Sequence, residues 1–228
     1  MPARNTLQVR PGPAPYGGEE ALAHLQRADP VLGKLIQKVG PFTLRPDRPS
    51  HPFQSLATSI LYQQLNGKAA STIVRRFVEA HGEKGRFPRP ERVAKATAAA
   101  LRACGISANK GLALQDLARR TLGGEVPHFR ALSRMEDAAI VERLTEVRGI
   151  GPWTVEMLLL FRMGRPDVFP VTDFGVRKGF AIAFGLKELP TPKELMARGE
   201  RWRPYRSMAS WYLWRATDLV AEAGETWP

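Results

Sequence analysis

The chain has 228 residues, 43 % hydrophobic and 25 % charged, which is enough apolar side chain for one sizeable core or two small lobes and excludes a disordered chain. Lys and Arg number 34 against 22 Asp and Glu, a formal net charge of +12 with a pI near 10.4, so the expected partner is polyanionic, nucleic acid before an acidic membrane surface. The single cysteine, Cys104, excludes an intramolecular disulfide, a four-cysteine zinc site and an iron–sulfur cluster held by four thiolates.

Residues 1–18 carry Pro2, Pro11, Pro13 and Pro15 with Gly12, Gly17 and Gly18 and no apolar period, so they read as a flexible arm and the fold is expected to start near Glu19. From there apolar residues recur at spacings of three and four: Leu22 and Leu25, then Leu32, Leu35, Ile36 and Val39, then Phe53, Leu56, Ile60 and Leu61. The same spacing predicts helices over 68–80, 91–104, 110–122, 136–147, 152–163, 174–184, 192–202 and 206–223. Breakers separate them, among them Gly40-Pro41, Arg89-Pro90, Gly123-Gly124, Phe169-Pro170 and Leu189-Pro190. Strand-like alternation is nearly absent. The expectation is an all-α unit over 19–228. No run approaches the roughly 18 to 20 apolar residues of a membrane span and the N-terminus lacks a signal core, so a cytoplasmic protein off the membrane is expected.

Val147-Arg148-Gly149-Ile150-Gly151-Pro152-Trp153-Thr154 follows an amphipathic helix and opens another. Gly149 and Gly151 permit positive φ and close backbone approach, and Pro152 suits a first helical turn. Such a hairpin turns unpaired N–H groups and the positive end of a helix dipole outward, a seat for phosphate that is indifferent to base sequence. An ordinary αα-turn has the same spacing. Twenty residues after Trp153, Asp173 stands at a predicted helix start, where Thr172 or Asp173 would serve equally as an N-cap.

In order along the chain, Ile60-Leu61-Tyr62-Gln63-Gln64-Leu65-Asn66-Gly67-Lys68-Ala69-Ala70, Gly105-Ile106-Ser107 with Lys110, the hairpin, Val168-Phe169-Pro170-Val171-Thr172-Asp173-Phe174 and Trp202-Arg203-Pro204-Tyr205-Arg206-Ser207 with Trp214 resemble the helix-hairpin-helix DNA glycosylases, in their 3-methyladenine DNA glycosylase II (alkylation repair) branch. The resemblance covers roughly residues 20–220. It implies an all-α, two-lobed fold, with about 53–163 as one lobe and about 19–52 plus 164–228 as the other, and a cleft between them. It implies double-stranded DNA with alkylated bases as partner, base flipping, and Asp173 as the catalytic carboxylate. Cleaving an N-glycosidic bond builds positive charge on the sugar, which a fixed carboxylate stabilises while it orients or activates a water. Trp153 aligns with the lysine of bifunctional members and cannot form a Schiff base, so a monofunctional hydrolase is expected.

Family likeness puts Trp153 and Trp214 in the base pocket, where stacking on a cationic base adds roughly 0.5 to 2 kcal/mol. Met157 shares the Trp153 face and stands where some relatives have a tyrosine; Tyr62 and Phe174 are further pocket candidates. Flipping leaves a gap in the duplex, and Gln64 or Leu65, just before Asn66-Gly67, is the expected wedge. Gly149, Gly151 and Thr154 of the hairpin, with Lys68, Arg148 and Arg177, are the expected DNA contacts. The family hairpin also commonly holds Na⁺ or K⁺ through backbone carbonyls, which map onto Thr145, Val147 and Ile150. No catalytic cofactor is expected: His24, His51, His81 and His128 lack metal-ligand spacing. A monomer is the default expectation. Rival readings are a glycosylase for another lesion class and a helix-hairpin-helix DNA-binding protein without chemistry.

Overall fold

The computed structural model describes residues 15–47 and 51–224. Most of the expected arm, residues 1–14, lies outside the described residues, as does Trp227. The described residues form no strand and thirteen α-helices. The first four are α1 (Gly18–Ala28), α2 (Pro30–Val39), α3 (Pro52–Tyr62) and α4 (Gly67–His81). Then come α5 (Pro90–Lys95), α6 (Ala98–Ala103), α7 (Ala108–Leu122), α8 (Phe129–Leu132) and α9 (Asp137–Thr145). The last are α10 (Pro152–Met157), α11 (Phe174–Phe184), α12 (Pro192–Gly199) and α13 (Arg206–Glu222). The architecture is the expected all-α one.

Two compact units form: a terminal unit from the chain before Pro46 and after Gly164, and a central unit, Pro46–Gly164. The first boundary falls before Asp47 rather than at 52/53, because the Asp47 N–H bonds to the Phe161 carbonyl at 3.1 Å and its carboxylate pairs with Arg162 at 2.7 Å. Packing also begins earlier than Glu19. Tyr16 is 1 % exposed, its ring edge-on to Phe42 at 5.3 Å, so residues 15–18 belong to the fold and not to an arm.

In the terminal unit, Asp29 organises the helix ends. Its carboxylate is fully buried, caps α2 through the Val31 and Leu32 N–H groups, and takes Arg198 Nε at 2.7 Å and the Trp202 indole N–H at 3.2 Å. Burial alone would raise its pKa; hydrogen bonding and charge from Arg198 outweigh that and hold it below the usual carboxylate range. Asp167 does similar work for α13, pairing with Arg206 and Arg203, each at 2.7 Å. Helices α11 and α13 pack backbone to backbone at Gly179: a Cβ there would overlap the Leu213 carbonyl, so only glycine fits.

The central unit closes around Phe53, Leu56, Phe77, Leu114 and Leu117, all buried. Lys110 on α7 reaches the end of α3 and donates to the Leu61 and Gln63 carbonyls at 2.8 and 2.7 Å, satisfying acceptors that a helix end leaves open. Burial pushes the Lys110 pKa down. The helix expected over 91–104 is two: Thr97 turns extended and its side chain caps Ala100 N–H at 3.2 Å, starting α6 afresh. The helix expected over 152–163 is continuous but widens to a π-helical turn over Leu158–Met163, ended by Gly164 at φ 67.

Candidate active site

The hairpin between α9 and α10 is built by a few local bonds. Gly149 sits at φ 76, and a Cβ there would lie 3.2 Å from Ala113 Cβ, so both conformation and space call for glycine. Gly151 differs from expectation: its backbone is extended (φ −100, ψ 171) and a Cβ would meet nothing within 4 Å. Its bare face leaves the start of α10 open from outside. Asp116, itself held by Arg120 Nε at 3.3 Å, accepts the Arg148 N–H at 2.9 Å, and the Val147 carbonyl accepts the Ile150 N–H at 3.1 Å. Arg148 is exposed. Thr154 is 4 % exposed and its N–H bonds to the Gly151 carbonyl at 3.0 Å, so its side chain packs inward.

The turn after α3 is joined to this hairpin. Gln63 Nε2 donates to the Gly149 carbonyl at 2.8 Å while the Gln63 carbonyl is held by Lys110. The next residue, Gln64, stands exposed at φ 57, a left-handed conformation that a non-glycine residue adopts only when its surroundings impose it. Leu65 is 39 % exposed beside it. Lys68, in the first turn of α4, is exposed.

A cavity of about 680 Å³ opens in the central unit. Its walls are Ser55, Thr58, Ser59, Tyr62, Gln63 and Gln64 from α3 and its turn, and Trp153, Met157, Leu158, Phe161 and Arg162 from α10 and the π-turn. Trp153 and Tyr62 remain 44 % and 40 % exposed, unusual for large aromatic faces. The wider π-turn brings Phe161 and Arg162 round to the face that carries Trp153 and Met157, which a regular helix would carry further off.

Asp173 belongs to the terminal unit. It caps α11, Oδ1 accepting the Val176 N–H at 2.8 Å, and the same oxygen takes the Trp214 indole N–H, also at 2.8 Å. Capping and a chemical role are therefore compatible, since the cap fixes the carboxylate at a helix N-terminus. Phe174, the next residue, is 63 % exposed. Arg177 donates through Nε to the Pro190 carbonyl at 2.9 Å, tying α11 to the loop before α12.

The structure thus gathers Trp153, Met157, Tyr62 and Gln64 at one cavity, and Asp173 with Trp214 at one hydrogen bond. Sequence reasoning missed Gln63 and Lys110 as the hairpin's link to α3, Phe161 and Arg162 as pocket walls, and Gly175. A Cβ at Gly175 would fall 2.7 Å from Trp214 Cδ1. The readable signal was Gly175 and Gly179 four apart on one helix face. Among the described residues no helix is long and apolar enough to cross a membrane.

Comparison with known proteins identifies the family. DNA-3-methyladenine glycosylase 1 of Schizosaccharomyces pombe is 36 % identical over 204 residues, 88 % of this chain and 88 % of that protein. The solved structure of the S. pombe 3-methyladenine DNA glycosylase in complex with abasic DNA matches with a TM-score of 0.78 at 36 % identity, over 87 % of this chain and 97 % of that one. A DNA-3-methyladenine glycosidase from Bacillus halodurans matches with a TM-score of 0.81 at 35 % identity, over 90 % and 92 % of the two chains. Residues 57–204 match the model of the HhH-GPD superfamily base excision DNA repair proteins, and the chain belongs to that family.

Proposed function

We propose that this chain is a monofunctional DNA glycosylase that flips alkylated purines of the 3-methyladenine and 7-methylguanine type out of duplex DNA and hydrolyses their glycosidic bond, leaving an abasic site. The observation that carries the reading is the Asp173 carboxylate, pinned through Oδ1 by the Val176 and Trp214 N–H groups. The relatives named as 3-methyladenine glycosylases support the substrate class.

The chemistry needs few groups. As the C1′–N bond breaks, its electron pair leaves with the base, and an alkylated purine already carries the positive charge that makes it a good leaving group. Asp173 stabilises the cationic sugar and takes the proton of the water that attacks C1′. Trp153 and Tyr62 offer π faces to a cationic base, with Met157 filling the wall. Gln64 is the wedge that occupies the vacated stack, the hairpin with Arg148 grips phosphate, and Lys68 adds a second contact. The Thr145, Val147 and Ile150 carbonyls fit a Na⁺ or K⁺ in donor chemistry, Val147 keeping a lone pair beyond the one given to Ile150 N–H; such an ion would brace the hairpin. The enzyme works as a monomer in the cytoplasm, on chromosomal DNA.

The test is free-base release from methylated duplex, measured by mass spectrometry, for wild type and Asp173→Asn, with strands inspected before alkali. Wild type should release methylated purine from intact strands, and Asp173→Asn should be slower by at least about 100-fold. Binding without release by wild type would leave a non-catalytic clamp, and strand scission without alkali would remove the monofunctional assignment.

A further inference from the structure

We propose that Gly175 is a positioning residue for the Asp173 carboxylate, acting through the Trp214 indole; the inference rests on the reading of Asp173 as catalytic. Gly175 lies in the first turn of α11, where its backbone makes no demand for glycine: no left-handed φ is found there. Its missing side chain has another use. An added Cβ would stand 2.7 Å from Trp214 Cδ1, 2.9 Å from Trp214 Nε1 and 3.1 Å from Asp173 Oδ1. The last two atoms are the donor and acceptor of the 2.8 Å hydrogen bond, so a methyl group would sit on that bond.

The neighbourhood decides what would yield. Withdrawing helix α13 as a body would give up the close packing one turn along α11, where the Leu213 carbonyl is seated in the space that Gly179 leaves. Turning the indole costs less than parting the two helices, so the side chain yields and the backbone stays. The cap from the Val176 N–H to the same Oδ1 is made by backbone and survives. A methyl at position 175 thus displaces the indole donor from Oδ1 and spares the backbone cap, separating carboxylate positioning from helix capping. Without the indole N–H the carboxylate is held less closely in place, and a misplacement of about 1 Å is enough to cost up to 100-fold in rate.

The experiment is a double-mutant cycle on Gly175→Ala and Trp214→Phe, the phenyl ring keeping an apolar contact without the N–H. Single-turnover release of 7-methylguanine from methylated duplex, the enzyme concentration for half-maximal rate, melting temperature and the indole ¹H–¹⁵N spectrum are read for all four proteins. Expected are a single-turnover rate lower by about tenfold or more in Gly175→Ala, little change in half-saturating concentration, a melting temperature no lower than wild type, and a shifted Trp214 indole resonance. Gly175→Ala should add nothing to Trp214→Phe, because both act on one bond. Losses that multiply in the double variant, a wild-type rate for Gly175→Ala, or an unmoved indole resonance would overturn the proposal. Wild type releasing no base would overturn the glycosylase reading and the positioning role of Gly175 with it, while the resonance would still report whether the hydrogen bond depends on Gly175.

Discussion

His51 begins α3 with an unusual cap, its Nδ1 accepting the Phe53 N–H at 3.1 Å. Only a neutral ring can do this, because a protonated Nδ1 has no lone pair. Burial pushes its pKa below the ordinary value of 6.5, and the nearby His128 acts in the same direction. Between the folded value and 6.5 the folded state binds fewer protons than the unfolded one, so stability falls as pH drops through that window. Thermal melts from pH 8 to pH 5 should show wild type losing about 1 kcal/mol at the acid end from this cap. His51→Asn, a cap that does not titrate, should flatten that part of the curve; parallel curves would refute the assignment. At this scale the sequence was informative where chemistry has a motif. Asp173, Trp153 and Trp214 stand in ordered patterns. Gly175 was marked only by its spacing to Gly179, because its importance lies in what α13 brings over it, and the inward turn of the Thr154 side chain depends on the packing beneath the hairpin.

The link between the α3 turn and the hairpin joins two elements that the proposed reaction uses together. Gln63 Nε2 on the Gly149 carbonyl sets where the strained Gln64 stands relative to the phosphate grip, and Lys110 holds the same turn from α7. Gln63→Leu keeps the volume and loses the bond. Excision from a fully paired duplex should then fall about fivefold, the equivalent of one net hydrogen bond, with a smaller fall when the lesion faces an abasic gap and no wedge is needed. Equal losses on both substrates would make Gln63 a stabiliser of the fold alone. Apolar spacing made most helices legible, since each buries one stripe. It failed at Ala96-Thr97-Ala98, where flanking alanines hide the Thr97 cap, and at Leu158–Met163, where the chain widens to a π-turn.

Assembly of the terminal unit was the least legible feature. Asp29 and Arg198 are 169 residues apart in sequence, and nothing near either announces the partner. Net charge of +12, by contrast, was readable at once, but not which residues carry it outward. Arg203 and Arg206 pair with Asp167, Arg198 with Asp29 and Arg120 with Asp116, Glu125 and Glu146, so their fields are locally cancelled. Lys68 and Arg148 are exposed and belong to the proposed DNA face. Removing a cation that neutralises one phosphate should lower the slope of log K against log salt by about one. Binding of unmodified duplex, followed by anisotropy between 50 and 300 mM salt, should therefore show that flattening for Lys68→Gln and for Arg148→Gln. Arg203→Gln should leave the slope unchanged, because the guanidinium it removes is paired with Asp167 and neutralises no phosphate. If Arg203→Gln flattened the slope as much as Arg148→Gln, binding would follow total charge, and the assignment of a defined phosphate grip to the hairpin would fall.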